Sequence, residues 1–280
     1  MFRMIDLHVH TTASDGTYTP AETVRLAHKS GLGAMAITDH DTIDGVEEAV
    51  LEAEKVNLEL VPGVEISVGD TDNIHILGLY VDIKNKELNC GMEKLAKLRY
   101  ERNCEIIEKL QKEGFDITFE KVAQTMHTGR GMSKVHIAHY MKKTGIVYNY
   151  RVAFKKYLIP GAKAYVPKAN LSEREGIELI RQSGGLPFLA HINYLRKDEK
   201  GIENTVKRLM EYGLAGVEAY YSAYDKNTEQ IAHKICEKYN LLKSGGTDFH
   251  GAHRPGVYLG NGRGNLCIPY DLLVDIKKKL

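Results

Sequence analysis

Asp6-Leu7-His8-Val9-His10 ends a short apolar stretch that begins at Phe2 and predicts a buried β-strand. Side chains alternate between the two faces of a strand, so His8 and His10 point in the same direction. Two neutral imidazoles on one face can bind one metal ion, and zinc, manganese and iron all accept this ligand. A His-x-His pair on an exposed strand is also compatible with no function, so its interpretation depends on the rest of the chain.

Composition argues against several classes of protein. The 280 residues carry 38 basic and 37 acidic side chains, a balance that does not suit a surface for long nucleic acids or membranes. There is no run of about 18 apolar residues and no signal-peptide layout. The four cysteines form no C-x-x-C pair, which predicts reduced thiols. We therefore expect a cytoplasmic protein whose length suits one α/β barrel.

Strand and helix patterns alternate along most of the chain. The segment Thr19-Pro20-Ala21-Glu22 has an N-cap, a first-turn proline and an early acidic residue, which together are typical of a helix start. Seven strands, six of them alternating with helices, predict a parallel, barrel-like α/β fold. The predicted strands cover residues 2–10, 32–38, 58–64, 73–81, 186–190, 214–219 and 241–246.

The alternation stops between residues 83 and 170. This part contains one long amphipathic helix, over about 91–114, and shorter helical stretches with little strand pattern. We predict a barrel domain made of 1–82 and 171–280, and a helical insertion of 83–170 that caps the active site. Arg130 lies there in Thr-Gly-Arg-Gly, and its guanidinium suits a phosphate group. A solvent-exposed arginine without function is the alternative.

Potential metal ligands occur near the ends of several predicted strands. In barrel folds the carboxyl ends of the strands converge at one rim. Some candidates have an ordinary explanation, because Asp15-Gly16 is a common turn and a strand histidine such as His75 is often a core residue. A buried glutamate such as Glu65 needs a cation or hydrogen-bond partners. The shared position favours one site, and its candidates are His8, His10, His40, Glu65, His191, Asp248 and His250, with Asp15 on the first loop and His75 within the fourth strand.

The motifs that contain these residues extend along the whole chain. They are Asp-Leu-His8-Val-His10-Thr, Ser-Asp15-Gly, Ile-Thr-Asp39-His40-Asp, Pro-Gly-Val-Glu65, His75-Ile-Leu-Gly, Leu-Ala-His191 and Gly-Gly-Thr-Asp248-Phe-His250-Gly. Together they resemble the PHP (polymerase and histidinol phosphatase) superfamily. Phe154-Lys-Lys-Tyr-Leu and Ala164-Tyr165-Val-Pro are similar to the branch that removes the 3′-phosphate of nucleoside 3′,5′-bisphosphates. Relatives in that branch also trim short RNA from its 5′ end.

The resemblance implies a distorted seven-stranded barrel, with the helical insertion between strands 4 and 5, and a trinuclear metal site. It assigns one ion to His8, His10, Glu65 and Asp248, a second to Asp15, His40 and His250, and a third to the bridging Glu65, His75 and His191. A mixed set of histidines and carboxylates suits Mn²⁺, Fe²⁺ or Zn²⁺, and we expect Mn²⁺.

Three motifs depart from the branch. Ala190-His191-Ile192-Asn193 stands where Ala-His-Pro is usual, and Tyr221-Ser222 stands after Glu218 where relatives often carry His-Pro. The insertion usually has Gly-Arg-Pro-His, but here Gly-Met-Ser-Lys-Val separates Arg130 from His136. These departures concern the residues around the substrate, for which Arg130 and His136 are the candidates.

The expected reaction is hydrolysis of a phosphate ester. Clustered divalent ions lower the pKa of bound water and clamp the attacking and leaving oxygens of an in-line displacement. We expect direct attack by metal-bound hydroxide without a phospho-enzyme. Asp39 or a histidine of the metal site such as His191 is the candidate for proton transfer.

The expected substrate is a nucleoside 3′,5′-bisphosphate or the 5′ end of a short RNA. The alternatives are a phosphatase for another metabolite, such as histidinol phosphate, and a non-catalytic PHP scaffold of the kind found in some polymerases. The insertion with Arg130 favours a nucleotide, and the complete ligand set argues against a scaffold. Balanced charge favours a small substrate and no stable nucleic-acid partner, because long RNA needs several phosphate contacts.

Overall fold

The computed structural model describes residues 4–69, 74–126 and 132–280. The chain forms two compact units, Met1–Met92 together with Leu171–Leu280, and Glu93–Asn170. Each has a hydrophobic core of its own. The prediction that the second unit caps the active site stays a prediction.

The first unit extends past residue 82, where we expected the barrel domain to end. It includes the first turns of a long helix, in which Leu88 and Met92 are buried. Gly91 in the same turns faces Leu179, because a Cβ atom added there would lie 2.3 Å from the leucine Cδ2. Apolar contact therefore fixes the boundary inside the helix rather than before it.

Seven strands of the first unit form one sheet, in the order β1-β2-β3-β4-β5-β6-β7. Most of their side chains are buried, as is usual where helices cover a parallel sheet. The strands are β1 Met4–Asp6, β2 Leu32–Ile37, β3 Glu59–Val68, β4 Ile74–Leu79, β5 Leu186–Leu189, β6 Gly216–Tyr221 and β7 Leu242–Gly246.

The first and last strands approach each other, so the sheet is a nearly closed barrel. The backbone N–H of Leu7 donates to the carbonyl of Gly245 at 3.0 Å, and the N–H of Asp248 donates to the carbonyl of His8 at 2.9 Å. This closure brings candidate ligands from the two ends of the chain to one rim. The predicted seven-stranded α/β barrel is confirmed.

Strand β4 runs antiparallel to both of its neighbours, which corrects the prediction of a parallel sheet. Only residues 69–73 separate β3 from β4. Parallel strands need a crossover of roughly a dozen residues or more, whereas antiparallel strands can be joined by a short loop. The reversal places the start of β4, with His75 opposite Ser67, at the rim where the parallel strands end.

Helices cover the sheet of the first unit. They are α1 Pro20–Lys29, α2 Val46–Val56, α7 Glu173–Gln182, α8 Glu199–Tyr212, α9 Lys226–Tyr239 and α10 Asp271–Lys277. The helix start predicted at Thr19 is present as a capping box. The Thr19 hydroxyl accepts from the N–H of Glu22 at 3.2 Å, and the Glu22 carboxylate accepts from the N–H of Thr19 at 2.8 Å.

The second unit contains most of the 27-residue helix α3, Lys86–Lys112. It also contains α4 Phe119–Met126, α5 Lys134–Lys143 and α6 Tyr150–Ala153, which continues as a π-helical turn over Phe154–Leu158. Its core includes Ile106, Leu110, Val122, Ile137 and Met141. Throughout the described ranges, we find no helix with the length and apolar character needed to span a bilayer.

Candidate metal centre

Glu65 lies at the centre of a cluster of histidines. It is fully buried inside β3, which continues to Val68, and is not at the strand end as we had expected. Its Oε1 atom is 2.8 Å from Nδ1 of His75 and 2.8 Å from Nε2 of His191. Its Oε2 atom is 2.8 Å from His40, 3.2 Å from His10 and 3.4 Å from His8. One carboxylate therefore connects five imidazoles from four segments of the chain.

Strand β1 ends at Asp6, so His8 and His10 follow it rather than lie within it as predicted, but their rings still point in the same direction. Their Nε2 atoms are 3.1 Å apart. The Nδ1 atom of His8 is 2.8 Å from Oε1 of Glu218, which lies on β6. This carboxylate fixes the ring so that Nε2 faces His10, an arrangement that often orients metal-ligating histidines.

A second group lies beside the first. Asp15 is on the loop after His10, and its Oδ1 atom is 3.2 Å from Nε2 of His250 and 4.0 Å from Nε2 of His40. The His250 ring also stacks on His10, with ring centroids 4.0 Å apart. The loop turns tightly, because a Cβ atom on Gly16 would lie 2.6 Å from the carbonyl oxygen of His10. The tight turn brings Asp15 back toward the ligands.

Two of the candidate ligands have an unusual backbone conformation. His191 has a φ of 29° and Asp248 a φ of 56°, values that non-glycine residues rarely adopt. The His191 N–H donates to Oε2 of Glu218 at 2.7 Å, so the same glutamate holds the backbone of one ligand and the ring of another. Strained residues of this kind concentrate at functional sites.

The field inside the cluster favours positive charge. Burial alone would lower the pKa of His10, but the carboxylates of Asp248 and Glu65 outweigh it and raise that pKa to about 10. Burial would raise the pKa of Glu65, but His40, His75 and His8 hold it well below its usual range. Glu65 is therefore ionised at neutral pH. Burial lowers the pKa of His75 to about 4, which leaves this ring neutral.

The donor set fits divalent transition-metal ions. Imidazole nitrogens and carboxylate oxygens are ligands for Mn²⁺, Fe²⁺ and Zn²⁺. The 3.1 Å between the Nε2 atoms of His8 and His10 suits two ligands that each lie about 2.1 Å from one ion. In the described ranges, four overlapping groups have ligand atoms within 4.8 Å of one another: His10, Asp15, His40 and His250; His8, Glu65 and His191; His8, His10 and Asp248; and His40, Glu65 and His75.

The structure brings all nine predicted ligands together. Asp39 accepts hydrogen bonds from the N–H and hydroxyl of Thr11, both at 2.7 Å, and from the hydroxyl of Ser14 at 2.5 Å. His136 is buried in α5, where its ring accepts from the N–H of Ser133 at 3.0 Å. Arg130 lies outside the described residues. The proton-transfer and substrate roles of these residues stay predictions.

Sequence reasoning missed two residues that contact the ligands. Glu218 was noted only beside a departing motif, although a glutamate within an apolar strand is the same signal that pointed to Glu65. Arg254 was not considered. It forms an ion pair with Asp248, and the sequence around Arg254 contains no pattern that predicts this contact.

Comparison with known proteins identifies the family. A sequence profile described as the PHP domain matches residues 6–245. The chain belongs to the PHP domain family. This PHP protein is 33% identical over 251 residues to a 5′-3′ exoribonuclease of Haemophilus influenzae. The alignment covers 89% of this chain and 91% of the relative. It is 28% identical over 258 residues to a 3′,5′-nucleoside bisphosphate phosphatase of Chromobacterium violaceum, with coverage of 92% and 90%.

A solved structure has the same fold as this PHP protein. It comes from Bifidobacterium adolescentis and is assigned as a metal-dependent phosphoesterase. The TM-score is 0.86 and the identity 28%, over 99% of this chain and 96% of the other. These comparisons confirm the predicted family, the barrel fold and the class of enzyme, a hydrolase of phosphate esters.

Proposed function

We propose that this PHP protein uses three divalent metal ions, with Mn²⁺ as the preferred ion, to hydrolyse the phosphate ester of a nucleotide or a short oligonucleotide. The observation that carries the proposal is the arrangement around Glu65. A fully buried carboxylate lies within 3.4 Å of five imidazole rings, with Asp15 and Asp248 beside them. A core that only needed packing would not collect so many ionisable groups, because burying them is costly.

The division of the ligands among the ions is the one that the family resemblance implies. We assign one ion to His8, His10, Glu65 and Asp248, a second to Asp15, His40 and His250, and a third to Glu65, His75 and His191. Glu65 lies within 3.4 Å of both histidines of the first set and 2.8 Å from both histidines of the third. When bound, such ions lower the pKa of water and neutralise the charge of a phosphate group.

Three further roles in this proposal belong to Glu218, Asp39 and His191. Glu218 orients His8 and the backbone of His191, which keeps both rings directed at the ions. Asp39 anchors the loop that carries Asp15 through its bonds to Thr11 and Ser14. His191 is our candidate for proton transfer.

Nucleoside 3′,5′-bisphosphates and the 5′ ends of short RNA are the proposed substrates. Two relatives that align over most of their length are described as a 5′-3′ exoribonuclease and a 3′,5′-nucleoside bisphosphate phosphatase. The nearly balanced charge of the chain, 38 basic against 37 acidic residues, suits a small substrate better than long RNA. A cytoplasmic location is part of the same proposal.

Phosphate release in the presence of Mn²⁺ tests the proposal. The substrates are adenosine 3′,5′-bisphosphate, histidinol phosphate and a 5′-phosphorylated RNA trimer, with mononucleotide release also followed for the trimer. We expect turnover of the bisphosphate or the trimer, and a loss of about 100-fold or more in His10→Ala. Removing a metal ligand should cost at least as much as removing a residue that supports one, which costs about 10–100-fold. His28→Ala is the matched control, since His28 is an exposed histidine at the end of α1.

The outcomes separate the alternatives. Turnover of histidinol phosphate alone would keep the metal centre and reject the nucleotide substrate. No turnover of any substrate by a fully metal-loaded protein would favour a scaffold role. Equal activity of the His10→Ala and His28→Ala variants would reject the metal centre as the active site.

A further inference from the structure

Asp248 is held by side chains that are not themselves metal ligands. They are Arg254 and Tyr221. The Nη1 atom of Arg254 donates to the Oδ2 atom of Asp248, and also to its backbone carbonyl at 3.1 Å. The hydroxyl of Tyr221 donates to the same Oδ2 atom at 2.7 Å. One oxygen of this carboxylate therefore already has two donors.

The other oxygen of Asp248 faces the histidines. Its Oδ1 atom is 3.2 Å from Nε2 of His10, 3.3 Å from Nδ1 of His250 and 3.7 Å from Nε2 of His8. The two oxygens thus have different surroundings. Oδ1 lies among the proposed ligand atoms, and Oδ2 lies among hydrogen-bond donors.

The donors are connected to one another, which limits their movement. The Nη2 atom of Arg254 donates to the hydroxyl of Tyr221 at 2.9 Å and to the hydroxyl of Tyr194. The two hydroxyls are 3.1 Å apart. Tyr221 is only 1% exposed, so packing as well as these hydrogen bonds holds its side chain in place.

We propose that Arg254 and Tyr221 are positioning residues that hold the Oδ2 atom of Asp248 and thereby fix its Oδ1 atom toward the metal ions. The inference rests on the proposed metal centre. A carboxylate can bind an ion through one oxygen or two. With Oδ2 engaged by a guanidinium and a hydroxyl, binding through both oxygens would break two hydrogen bonds to charged or buried groups.

The planar guanidinium is important to this proposal. Its two outer nitrogens contact Asp248 on one side and the tyrosine hydroxyls on the other. An ammonium group is a point charge and cannot reproduce this fork, so Arg254→Lys keeps the charge but loses the geometry. A role in geometry and a role in charge alone therefore predict different results for the lysine variant.

Mn²⁺ affinity, measured without substrate by competition with a chelating dye, tests the inference. We expect Tyr221→Phe and Arg254→Lys each to weaken binding by about 10-fold or more, the usual effect of removing a partner of a metal ligand. Tyr194→Phe is the matched control. It removes a hydroxyl from the same cluster, but the described contacts of that hydroxyl are to Arg254 and Tyr221 and not to Asp248. We expect it to bind Mn²⁺ within about twofold of the wild type.

Urea unfolding of the metal-free proteins shows that the variants are folded, and Tyr221→Phe keeps the buried ring. If the wild type binds Mn²⁺ and both Tyr221→Phe and Arg254→Lys bind it equally well, the inference is overturned and the metal centre stands. An equal loss in Tyr194→Phe, or normal affinity in Arg254→Lys alone, also overturns it. If the wild type binds no Mn²⁺, the proposed metal centre fails and the inference fails with it.

Discussion

Three histidines of the candidate centre are oriented by a contact that the second ring nitrogen or the backbone makes. His8 is held through Nδ1 by Glu218, and His250 through Nδ1 by the backbone carbonyl of Asp248 at 2.9 Å. The backbone of His191 donates to the same Glu218. At this scale the ligands were predictable, because metal-binding residue types recur near strand ends. The residues that orient the ligands were not predictable, because the sequence does not indicate which ring a glutamate on β6 contacts.

Replacing Glu218 by glutamine tests this orienting contact. Glutamine has the same shape, but its amide nitrogen would face either Nδ1 of His8 or the N–H of His191, and one hydrogen bond would be lost. We expect Mn²⁺ affinity to fall about 10-fold or more. We also expect the free energy of unfolding without metal to fall by about 1–3 kcal/mol. Dye competition and urea unfolding measure the two effects.

Glu237→Gln is the control for this prediction, because Glu237 is exposed on α9 and pairs with Lys243 at the surface. An unchanged Mn²⁺ affinity in Glu218→Gln would show that Glu218 is only a buried structural residue.

At the scale of elements, the sequence located strands and helices well but not their directions. The pattern of apolar residues defines β4, yet it is equally compatible with either direction. The short connection over residues 69–73 contained the missing information, because it cannot accommodate a parallel crossover. Strand β3 also continued past Glu65 to Val68, because its pairing with β4 extends the ladder as far as Ile74.

Strand β7 provides a test of how closely the elements pack around the centre. A Cβ atom on Gly246 would lie 2.2 Å from the Cβ of His8 and 2.5 Å from its backbone nitrogen. Gly246→Ala should therefore push β7 away from His8, lower the free energy of unfolding by about 1–3 kcal/mol and weaken Mn²⁺ binding. Urea unfolding and dye competition check both effects.

Ser244→Ala on the same strand should not lower the free energy of unfolding. The Ser244 side chain is fully buried, and its hydroxyl has no hydrogen-bond partner among the residues that the structure describes. Its removal should leave the free energy of unfolding unchanged or raise it by about 1 kcal/mol. Equal free energies of unfolding for Gly246→Ala and Ser244→Ala would show that the close approach of β7 to His8 does not restrict the side chain at residue 246.

For the whole molecule, the candidate centre joins the two ends of the barrel sequence. His8 follows β1, Asp248 follows β7, and the backbone hydrogen bond between them closes the sheet. A ligand that binds only the folded state stabilises it in proportion to the logarithm of its concentration. Metal ions bound between β1, β3 and β7 should therefore stabilise the barrel as a unit.

Metal removal tests this coupling. With free Mn²⁺ at 100 times its dissociation constant, the free energy of unfolding should rise by about 2.7 kcal/mol for each independent site. EDTA should reverse the increase, and His10→Ala should show a smaller one. Thermal unfolding with and without Mn²⁺ measures the effect, with His28→Ala as the control. A melting temperature that does not respond to Mn²⁺ in the wild type would contradict the prediction.

The sequence alone determined the αβ alternation, the seven strands and the nine candidate ligands, because these depend on local periodicity and on residue types near strand ends. Only the tertiary structure decided that β4 is reversed, that Glu218 holds His8 and that Arg254 holds Asp248. The ring of His8 and the carboxylate of Glu218 are 210 residues apart in the chain. Such a contact exists only after the barrel closes, because closure brings β1 and β6 to the same rim and excludes the water that would otherwise satisfy both groups.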